Sequence, residues 1–282
     1  MKKLAIITGA NKGLGLSVAK QLVLNDYKVV LACRDKIKGQ QAEKFLGENA
    51  IFMELDLSNP KSIENFSNEI SKSYSGVDIL YNNAGLIYQD FNLTAEGFES
   101  MIAVNYFGTY RLTLKLLENL VENRGRMIQV SSLSMYLARK MQLKNLHTKE
   151  SFTPSSRYNL TNLYRSMFAY ELEKRIDGKA SVAIAHPGIT KSRQSRPYEV
   201  KSIRKSAFTY ISTNIATGTA PVLKAIKTKN ISAQKTFAPK YFGIYGKPGT
   251  MRLNRLVYNE DLRKKLWDFT AEELNLDLKF RK

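Results

Sequence analysis

Near its start the chain has an apolar strand, a glycine turn and an amphipathic helix in succession, and this unit constrains the fold more than any other feature. The run Lys3–Ile7 is apolar and β-rich, Thr8–Gly15 reads TGANKGLG, and apolar side chains recur at helical spacing over Leu16–Val23. Gly13 and Gly15 would let a pyrophosphate approach the backbone at the positive end of that helix. Because the spacing differs from Gly-x-Gly-x-x-Gly, a plain tight loop is the alternative at this point.

Strands and helices alternate along the rest of the chain. Short apolar runs predict strands at Leu4–Thr8, Lys28–Ala32, Ala50–Glu54, Ile79–Asn82, Met127–Ser131 and Ala180–Ala185. Helical spacing predicts helices at Leu16–Asn25, Ile37–Phe45, Lys61–Tyr74, Gly97–Val121 and Arg157–Arg175. These units predict an α/β, doubly wound Rossmann fold, with a parallel sheet of about seven strands, helices on both faces and a ligand at the carboxyl ends of the strands. With no repeat or linker, residues 1–282 should form a single domain.

Composition narrows the class of protein. With 282 residues and 43% apolar composition, the chain can bury one substantial core. Its single cysteine, Cys33, lies in an apolar strand and allows no intrachain disulfide, which is typical of a reducing compartment. No signal peptide is apparent, and no apolar run reaches the roughly 20 residues that span a bilayer. We therefore expect a cytoplasmic protein.

The formal net charge of +19 is high and unevenly distributed. Between Gly178 and Asn259 there are fifteen Lys and Arg residues and a single acid, Glu199. Either an anionic partner binds this region or it is a solvated basic face. Because no nucleic-acid-binding motif accompanies the charge, we expect no nucleic acid partner, whereas peripheral membrane contact stays open without direct support. No metal site is predicted.

Three more motifs follow later strands, namely Asp56-Leu57, NNAG at Asn82–Gly85, and Ser131-Ser132. Together with TGANKGLG, their order and spacing resemble the short-chain dehydrogenase/reductase family, well over Lys3–Gly188 and more loosely beyond. The chain looks most like the retinol-dehydrogenase and carbonyl-reductase branch, which uses NADP(H). The resemblance implies an oxidoreductase acting on a small-molecule carbonyl or alcohol. It also implies a homodimer or homotetramer formed through the two long helices.

The same resemblance assigns cofactor contacts. Lys12 and Arg34 match the two basic positions that mark NADP(H) preference, and a guanidinium can grip the 2′-phosphate bidentately. Asp35, next to Arg34, keeps some use of NAD open. Asp56 and Leu57 match the contacts to the adenine edge. The other cofactor-binding positions lie in the glycine turn, where Asn11 should hydrogen-bond the backbone, in NNAG and in the HPG turn: Gly9, Asn11, Gly13, Leu14, Gly15, Asn83, Ala84, Gly85, Pro187, Gly188, Ile189 and Thr190.

The family's catalytic set is Asn, Ser, Tyr and Lys, and this chain matches three of the four. Asn105 matches the asparagine that holds a bent helix, Ser132 the serine that binds the carbonyl oxygen, and Tyr158 the acid-base tyrosine. Ser131 and Ser134 are close enough that the serine assignment could shift by a position, although the strand end favours Ser132.

Asn162 stands where the family's Tyr-x3-Lys motif has its lysine. A literal Tyr-x3-Lys occurs at Tyr170–Lys174, but only 16 residues separate Tyr170 from Pro187, too few for the remaining helix, turn and strand. We therefore assign the catalytic position to Tyr158.

The missing lysine leaves three interpretations. A tyrosine in water has a pKa of about 10, and the family lysine lowers that value. Oxidation of an alcohol needs the tyrosinate, whereas reduction of a carbonyl needs the phenol, so reduction should suffer less. The chain is then a reductase with an altered site, a dinucleotide-binding pseudoenzyme with a regulatory or scaffold role, or an enzyme in which Lys140, Lys144 or Lys149 replaces the lost cation.

The residues around 189–212 occupy the place of the family's substrate lid. From Lys191 to Lys205 this segment has six cations and one acid. Such a lid favours an anionic substrate, or a polar side that faces solvent or lipid headgroups. His186, just before the lid, is interpreted as a packed turn residue.

Overall fold

Eight strands form one sheet, in the order β3-β2-β1-β4-β5-β6-β7-β8. The computed structural model describes residues 2–189 and 215–276 of the chain. The strands are β1 (Leu4–Thr8), β2 (Lys28–Cys33), β3 (Ala50–Glu54), β4 (Ile79–Asn82), β5 (Arg126–Val130), β6 (Ser181–Ala185), β7 (Lys235–Tyr241) and β8 (Tyr245–Arg252). All neighbouring pairs are parallel except β7 and β8, which are antiparallel. The chain order reverses beside β1, where β2 and β4 flank it, and a doubly wound sheet binds its ligand at such a switch point.

Helices cover both faces of the sheet. They are α1 (Gly13–Val23), α2 (Lys36–Leu46), α3 (Pro60–Ser73), α4 (Ser100–Ile102), α5 (Gly108–Lys115), α6 (Leu117–Glu122), α7 (Pro154–Ile176), α8 (Ile215–Lys227) and α9 (Glu260–Glu273). Successive side chains of β1 alternate between two apolar clusters, because side chains of a strand point to opposite faces. The first cluster packs against α3, α5, α7 and α9, and the second against α1, α2 and α8. This arrangement confirms the predicted doubly wound α/β fold.

The predicted helix Gly97–Val121 is wrong in its start and its continuity. Glu99 begins it, because this carboxylate accepts hydrogen bonds from the backbone N–H of Met101 and Ile102 at 2.9 and 3.0 Å. A π-helical turn then occupies Ala103–Phe107, and the helix breaks again at Leu116. A π turn inserts one residue into the helix and is often found at a functional site.

The C-terminal helix α9 covers part of the surface that the resemblance assigned to an oligomer interface. Its Trp267 stacks on Phe168 of α7, with ring centroids 5.8 Å apart, and contacts Tyr110 of α5 edge-on at 5.2 Å. The Tyr106 hydroxyl lies 2.7 Å from the Thr270 hydroxyl. An oligomer therefore stays a prediction, and its interface would have to include α9 or another surface.

The segment FAPKYFGIYGKPG forms the hairpin of β7 and β8, which adds an antiparallel eighth strand to the expected sheet of about seven. The predicted lid cations Lys191–Lys205 lie outside the described residues. Across residues 2–189 and 215–276, the helices are too short or too polar to cross a bilayer.

Candidate active site

The glycine turn and the NNAG loop form one hydrogen-bonded unit at the carboxyl ends of β1 and β4. The Thr8 hydroxyl accepts hydrogen bonds from the backbone N–H of Asn83 at 3.0 Å and of Ala84 at 2.9 Å. In return, the Asn83 amide donates to the Thr8 carbonyl at 2.9 Å and to the Gly9 carbonyl at 3.4 Å. The two segments that the resemblance assigned to the cofactor therefore support each other.

The glycine turn leaves room for a phosphate at the start of α1. Gly13 has φ of +57°, and a Cβ built there would meet nothing within 4 Å, so its outer side is open. Gly15 is needed for close packing, since a Cβ there would lie 2.6 Å from the Gly9 carbonyl oxygen. Lys12 occupies the N-cap position of α1, and its side chain makes no capping hydrogen bond within the described chain. The N–H groups of the first helical turn are therefore able to bind an anion. The geometry therefore fits a pyrophosphate.

Arg34 and Asp35 follow β2 and have different roles. Asp35 caps α2, because its carboxylate accepts from the Lys38 N–H at 3.0 Å and pairs with the Lys38 ammonium. This pairing with Lys38 lowers the pKa of Asp35. The Arg34 side chain is 64% exposed, and its Nη1 lies 3.8 Å from a carboxylate oxygen of Asp56. A cation is thus accessible at this position, whereas the neighbouring carboxylate is already bound.

Other predicted cofactor residues are partly engaged within the protein. Asp56 accepts from the N–H and the hydroxyl of Ser58 at 2.9 and 2.6 Å, and Leu57 is buried in the first cluster. Leu14 packs against the second cluster. Asn11 is half-buried, and its side chain has no hydrogen-bond partner among the described residues, so the expected bond to the turn backbone is not formed.

The HPG turn follows β6 at the same edge of the sheet. His186 is buried, its Nδ1 lies 3.3 Å from the Ser131 carbonyl oxygen, and burial lowers its pKa to about 4. A neutral, buried histidine agrees with the predicted packing role. Gly188 adopts φ of +80°, whereas Pro187 and Ile189 are half-buried. The predicted contact Thr190 lies outside the described residues.

The structure separates the three candidate serines. The Ser131 hydroxyl is buried and lies 2.9 Å from the hydroxyl of Ser166 in α7. The Ser134 hydroxyl is buried and has no hydrogen-bond partner within the described chain. Ser132 is half-buried, and its hydroxyl oxygen accepts from the Ser134 N–H at 3.3 Å, which leaves its O–H as a donor. Of the three, Ser132 is the best placed to meet a ligand.

Tyr158 and Asn162 lie one turn apart on α7. Tyr158 is half-buried, and its backbone carbonyl accepts from the Asn162 side-chain amide at 2.9 Å and from the Thr161 hydroxyl at 2.9 Å. Asn162 is only 2% exposed. One of its amide N–H donors is therefore used inside the helix rather than towards a ligand.

Asn105 lies in the π-helical turn and is fully buried. Its amide donates to the Leu86 carbonyl at 2.9 Å, and its side-chain oxygen accepts from the Leu86 N–H at 2.8 Å. The side chain therefore fastens the chain just after NNAG to the π turn. This agrees with the predicted role of holding a bent helix.

Arg165, which none of the sequence motifs marks, is buried at the same place. Its Nε donates to the Asn105 carbonyl and its Nη2 to the Ala84 carbonyl. A Cβ built on Gly85 would lie 3.2 Å from both terminal nitrogens. The available signal was a cation seven residues after Tyr158, because positions i and i+7 share one face of a helix.

The other candidate groups lie elsewhere. All three alternative cations are exposed, namely Lys140, Lys144 and Lys149, whereas Asn162 is buried. Tyr170 packs edge-on against Tyr258, with centroids 6.0 Å apart, towards the far end of α7, which supports its rejection as the catalytic tyrosine. Within the described ranges, no cluster of three or more His, Cys, Asp or Glu residues could bind a metal ion.

Comparison with known proteins matches the chain to several oxidoreductases. The family model for short chain dehydrogenase matches residues 3–143. Retinol dehydrogenase 12 from Mus musculus is 28% identical over 97% of this chain and 87% of its own length. The Homo sapiens protein of the same name is 32% identical, over 78% and 75% respectively. The solved structure of an uncharacterized protein from Mycobacterium paratuberculosis is 26% identical, covers 99% of this chain and 95% of its own, and has a TM-score of 0.81.

Proposed function

The chain belongs to the short-chain dehydrogenase family of oxidoreductases, and from this premise we propose that it reduces a small-molecule carbonyl with NADPH. The observation that carries the proposal is the placement of Ser132 and Tyr158, which are both half-buried and lie on elements that meet at the carboxyl edge of the sheet. The open glycine turn lies at the same edge.

The preference for NADP(H) is supported by the charges around the glycine turn. The N–H groups at the start of α1 would hold the pyrophosphate, and Lys12 and Arg34 would hold the 2′-phosphate. A free Asp35 carboxylate would bind the ribose hydroxyls of NAD, but this carboxylate caps α2 and pairs with Lys38. When bound, the reduced dinucleotide supplies the hydride.

The side chains supply the positioning and the proton. The Ser132 hydroxyl would donate a hydrogen bond to the substrate carbonyl oxygen, since its oxygen is already turned towards the Ser134 N–H. The Tyr158 phenol would give its proton to the same oxygen as negative charge develops there. Asn105 would hold the NNAG loop and the π turn in fixed positions during the proton transfer.

The second candidate is a dinucleotide-binding protein without turnover. The observation that favours it is Asn162, which replaces the expected lysine and donates to the carbonyl of Tyr158 rather than into the site. It differs from the first candidate in one respect: cofactor would bind, but no substrate would react.

The two candidates are separated by measuring NADPH binding and NADPH consumption on the same protein. We expect binding by fluorescence titration, together with reduction of at least one aldehyde or ketone from a panel that includes carboxylate-bearing carbonyls. Tyr158→Phe should lower kcat about a hundredfold or more, because the proton donor is lost, and leave the NADPH affinity within about twofold.

Tyr170→Phe is the matched control, since it removes a hydroxyl from the same helix at a position packed against Tyr258. Its kcat should stay close to that of the parent protein. NADPH binding without turnover of any substrate would favour the second candidate. Full activity of Tyr158→Phe would show that another group is the acid.

A further inference from the structure

The guanidinium of Arg165 joins helix α7 to the NNAG loop, Asn82–Gly85, and to the π-helical turn. Its Nη2 donates to the Ala84 carbonyl, and its Nε donates to the Asn105 carbonyl. These two acceptors lie 81 and 60 residues before Arg165 in the chain. One side chain therefore holds together two distant backbone segments at the ligand edge of the sheet.

These bonds to the backbone are the main contacts of the Arg165 charge. Arg165 is 3% exposed, and no carboxylate of the described chain forms an ion pair with it. A guanidinium is a permanent cation, and its hydrogen bonds are stronger than those of a neutral donor. Removing it would take a strong donor away from each of the two carbonyls at once.

Side chains from three elements hold the NNAG loop. Thr8, at the end of β1, accepts from two N–H groups of the loop at 3.0 and 2.9 Å. The Asn105 side chain forms two hydrogen bonds with the backbone of Leu86, directly after the loop. Arg165 adds the attachment from α7, at Ala84. Because the N–H and the carbonyl of Ala84 are both bound, the peptide groups on its two sides have fixed orientations.

Gly85 shows how closely the guanidinium approaches this loop. A Cβ built on Gly85 would lie 3.2 Å from both terminal nitrogens of Arg165 and 3.4 Å from the Asn105 side-chain oxygen. The φ of Gly85 is not positive, so its backbone conformation does not itself require glycine. The close approach of Arg165 is therefore a steric reason for glycine at this position.

We propose that Arg165 is a positioning residue of the cofactor site, which fixes the NNAG loop in the conformation that binds the dinucleotide. This role rests on the proposed function, because the loop contacts a cofactor only if the chain binds one. The 2′-phosphate is assigned to other cations, Lys12 and Arg34. Arg165 should therefore support the binding of NADH and NADPH equally, and its loss should leave the preference between them unchanged.

The positioning is tested without cofactor by amide hydrogen exchange. Arg165→Met keeps the length of the side chain but removes its donors and charge. The amides of Asn83 and Ala84 should then exchange about tenfold faster or more, relative to the β5 amides, which report global opening. Arg263→Met is the matched control, because Arg263 is 5% exposed and donates to the Val257 carbonyl at 2.8 Å. It lies on α9, so its loss should leave the relative exchange of the NNAG amides unchanged.

The consequence for the cofactor is tested by fluorescence titration. Arg165→Met should weaken the binding of NADPH and NADH by the same factor, about tenfold, whereas Arg34→Ala should weaken NADPH alone. At saturating NADPH, kcat should fall less than about threefold, so the loss lies mainly in the KM for the cofactor. Arg165→Lys keeps a cation that can donate to a carbonyl, and it should bind both cofactors more tightly than Arg165→Met.

Gly85→Ala tests the same contact from the side of the loop. Its methyl group should displace the guanidinium and weaken both cofactors by a similar factor. In the Arg165→Met background a flexible side chain replaces the fixed guanidinium, so Gly85→Ala should weaken them less there. Equal effects in the two backgrounds would contradict a role for the contact between Gly85 and Arg165.

Three results would overturn the positioning role of Arg165. They are a folded Arg165→Met protein with unchanged NNAG exchange, faster exchange with unchanged affinity for both cofactors, and a loss of affinity confined to NADPH. Where Arg165→Met does not fold, Arg165→Lys is measured instead and must shift exchange and both affinities in the same directions. If the parent protein binds neither NADPH nor NADH, the proposed function fails, and the exchange measurement alone decides whether Arg165 holds the loop.

Discussion

At the scale of single residues, the neighbours Arg34 and Asp35 at the end of β2 have different surroundings. Arg34 is exposed beside Asp56, whereas Asp35 is bound to the start of α2 through Lys38. A free carboxylate here would favour the ribose hydroxyls of NAD, and a free cation favours the phosphate of NADP. The position of the Asp35 side chain, which the sequence left open, therefore supports the phosphorylated cofactor.

We predict that Arg34→Ala weakens NADPH binding about tenfold, or about 1.4 kcal/mol, and leaves NADH binding nearly unchanged. The reason is that the guanidinium would contact the 2′-phosphate, which NADH lacks. Fluorescence titration with both cofactors measures the effect, with Lys61→Ala as a control that removes an exposed cation on α3. Equal losses for NADPH and NADH in Arg34→Ala would contradict this role.

Some residues of the candidate site could be predicted from the sequence, and others could not. Arg34 and Ser132 could be placed because each lies within two residues of the end of a strand, and the ends of parallel strands meet at one edge. Arg165 could not, because its surroundings are built from Asn105, 60 residues earlier, and Ala84, 81 residues earlier. The charge of a helical arginine is ordinarily solvated, and only burial gives it a role here.

At the scale of elements, a buried ion pair joins the start of α4 to the first turns of α7. The Glu99 carboxylate lies 3.5 Å from Arg157 Nε, and both side chains are almost fully buried. Burial raises the pKa of Glu99 and lowers that of Arg157. The Arg157 guanidinium also donates to the Ser151 hydroxyl at 3.0 Å. Because Tyr158 is the next residue, this pair helps to position the proposed acid.

We predict that Glu99→Gln destabilises the protein by about 3 to 5 kcal/mol, because it leaves Arg157 buried without an anionic partner. Chemical denaturation measures the free energy of unfolding. Adding Arg157→Met to Glu99→Gln should cost less than the sum of the two single changes, since the stranded charge is gone.

The exposed pair of Lys61 and Glu64 provides the comparison. Glu64→Gln should leave the free energy of unfolding nearly unchanged, because solvent screens that pair. A loss as large as that of Glu99→Gln would show that burial is not the cause.

The elements themselves were predictable to different degrees. The sequence predicted β1, β3 and β4 with the bounds that the structure has, because short apolar runs between polar turns have few alternatives. The break between α4 and α5 was missed, since Glu99 is an uncommon helix cap and a π turn has no simple sequence pattern. That break is also where Asn105 enters the site.

At the scale of the whole molecule, both histidines of the chain resist protonation. Burial lowers the pKa of His147 and of His186 from 6.5 to about 4, and the charge of Arg157 adds to the effect on His147. Between these values the unfolded chain binds more protons than the folded one. The contribution of each histidine to the free energy of unfolding therefore falls as the pH drops from about 6.5 towards 4, by an amount on the order of 3 kcal/mol.

We predict a Tm several degrees lower at pH 5 than at pH 7, measured by thermal denaturation. The double variant His147→Gln and His186→Gln should show a smaller difference between the two pH values, whatever its absolute stability. Glu99 and Glu273, whose pKa values are raised by burial, act in the opposite direction in both proteins. An identical pH difference in parent and variant would rule out the histidines as the cause.

The strand order has a consequence for how the chain is made. β1 lies inside the sheet, and β4 completes its second edge. The Leu4 N–H of β1 donates a hydrogen bond to Asp78, which lies 74 positions later in the chain, next to β4. A ribosome adds about 5 to 20 residues per second, so β1 waits roughly 4 to 15 s for β4. During that interval the nascent protein displays an unpaired apolar strand edge that the finished sheet keeps internal, and such an edge is a template for pairing with another chain.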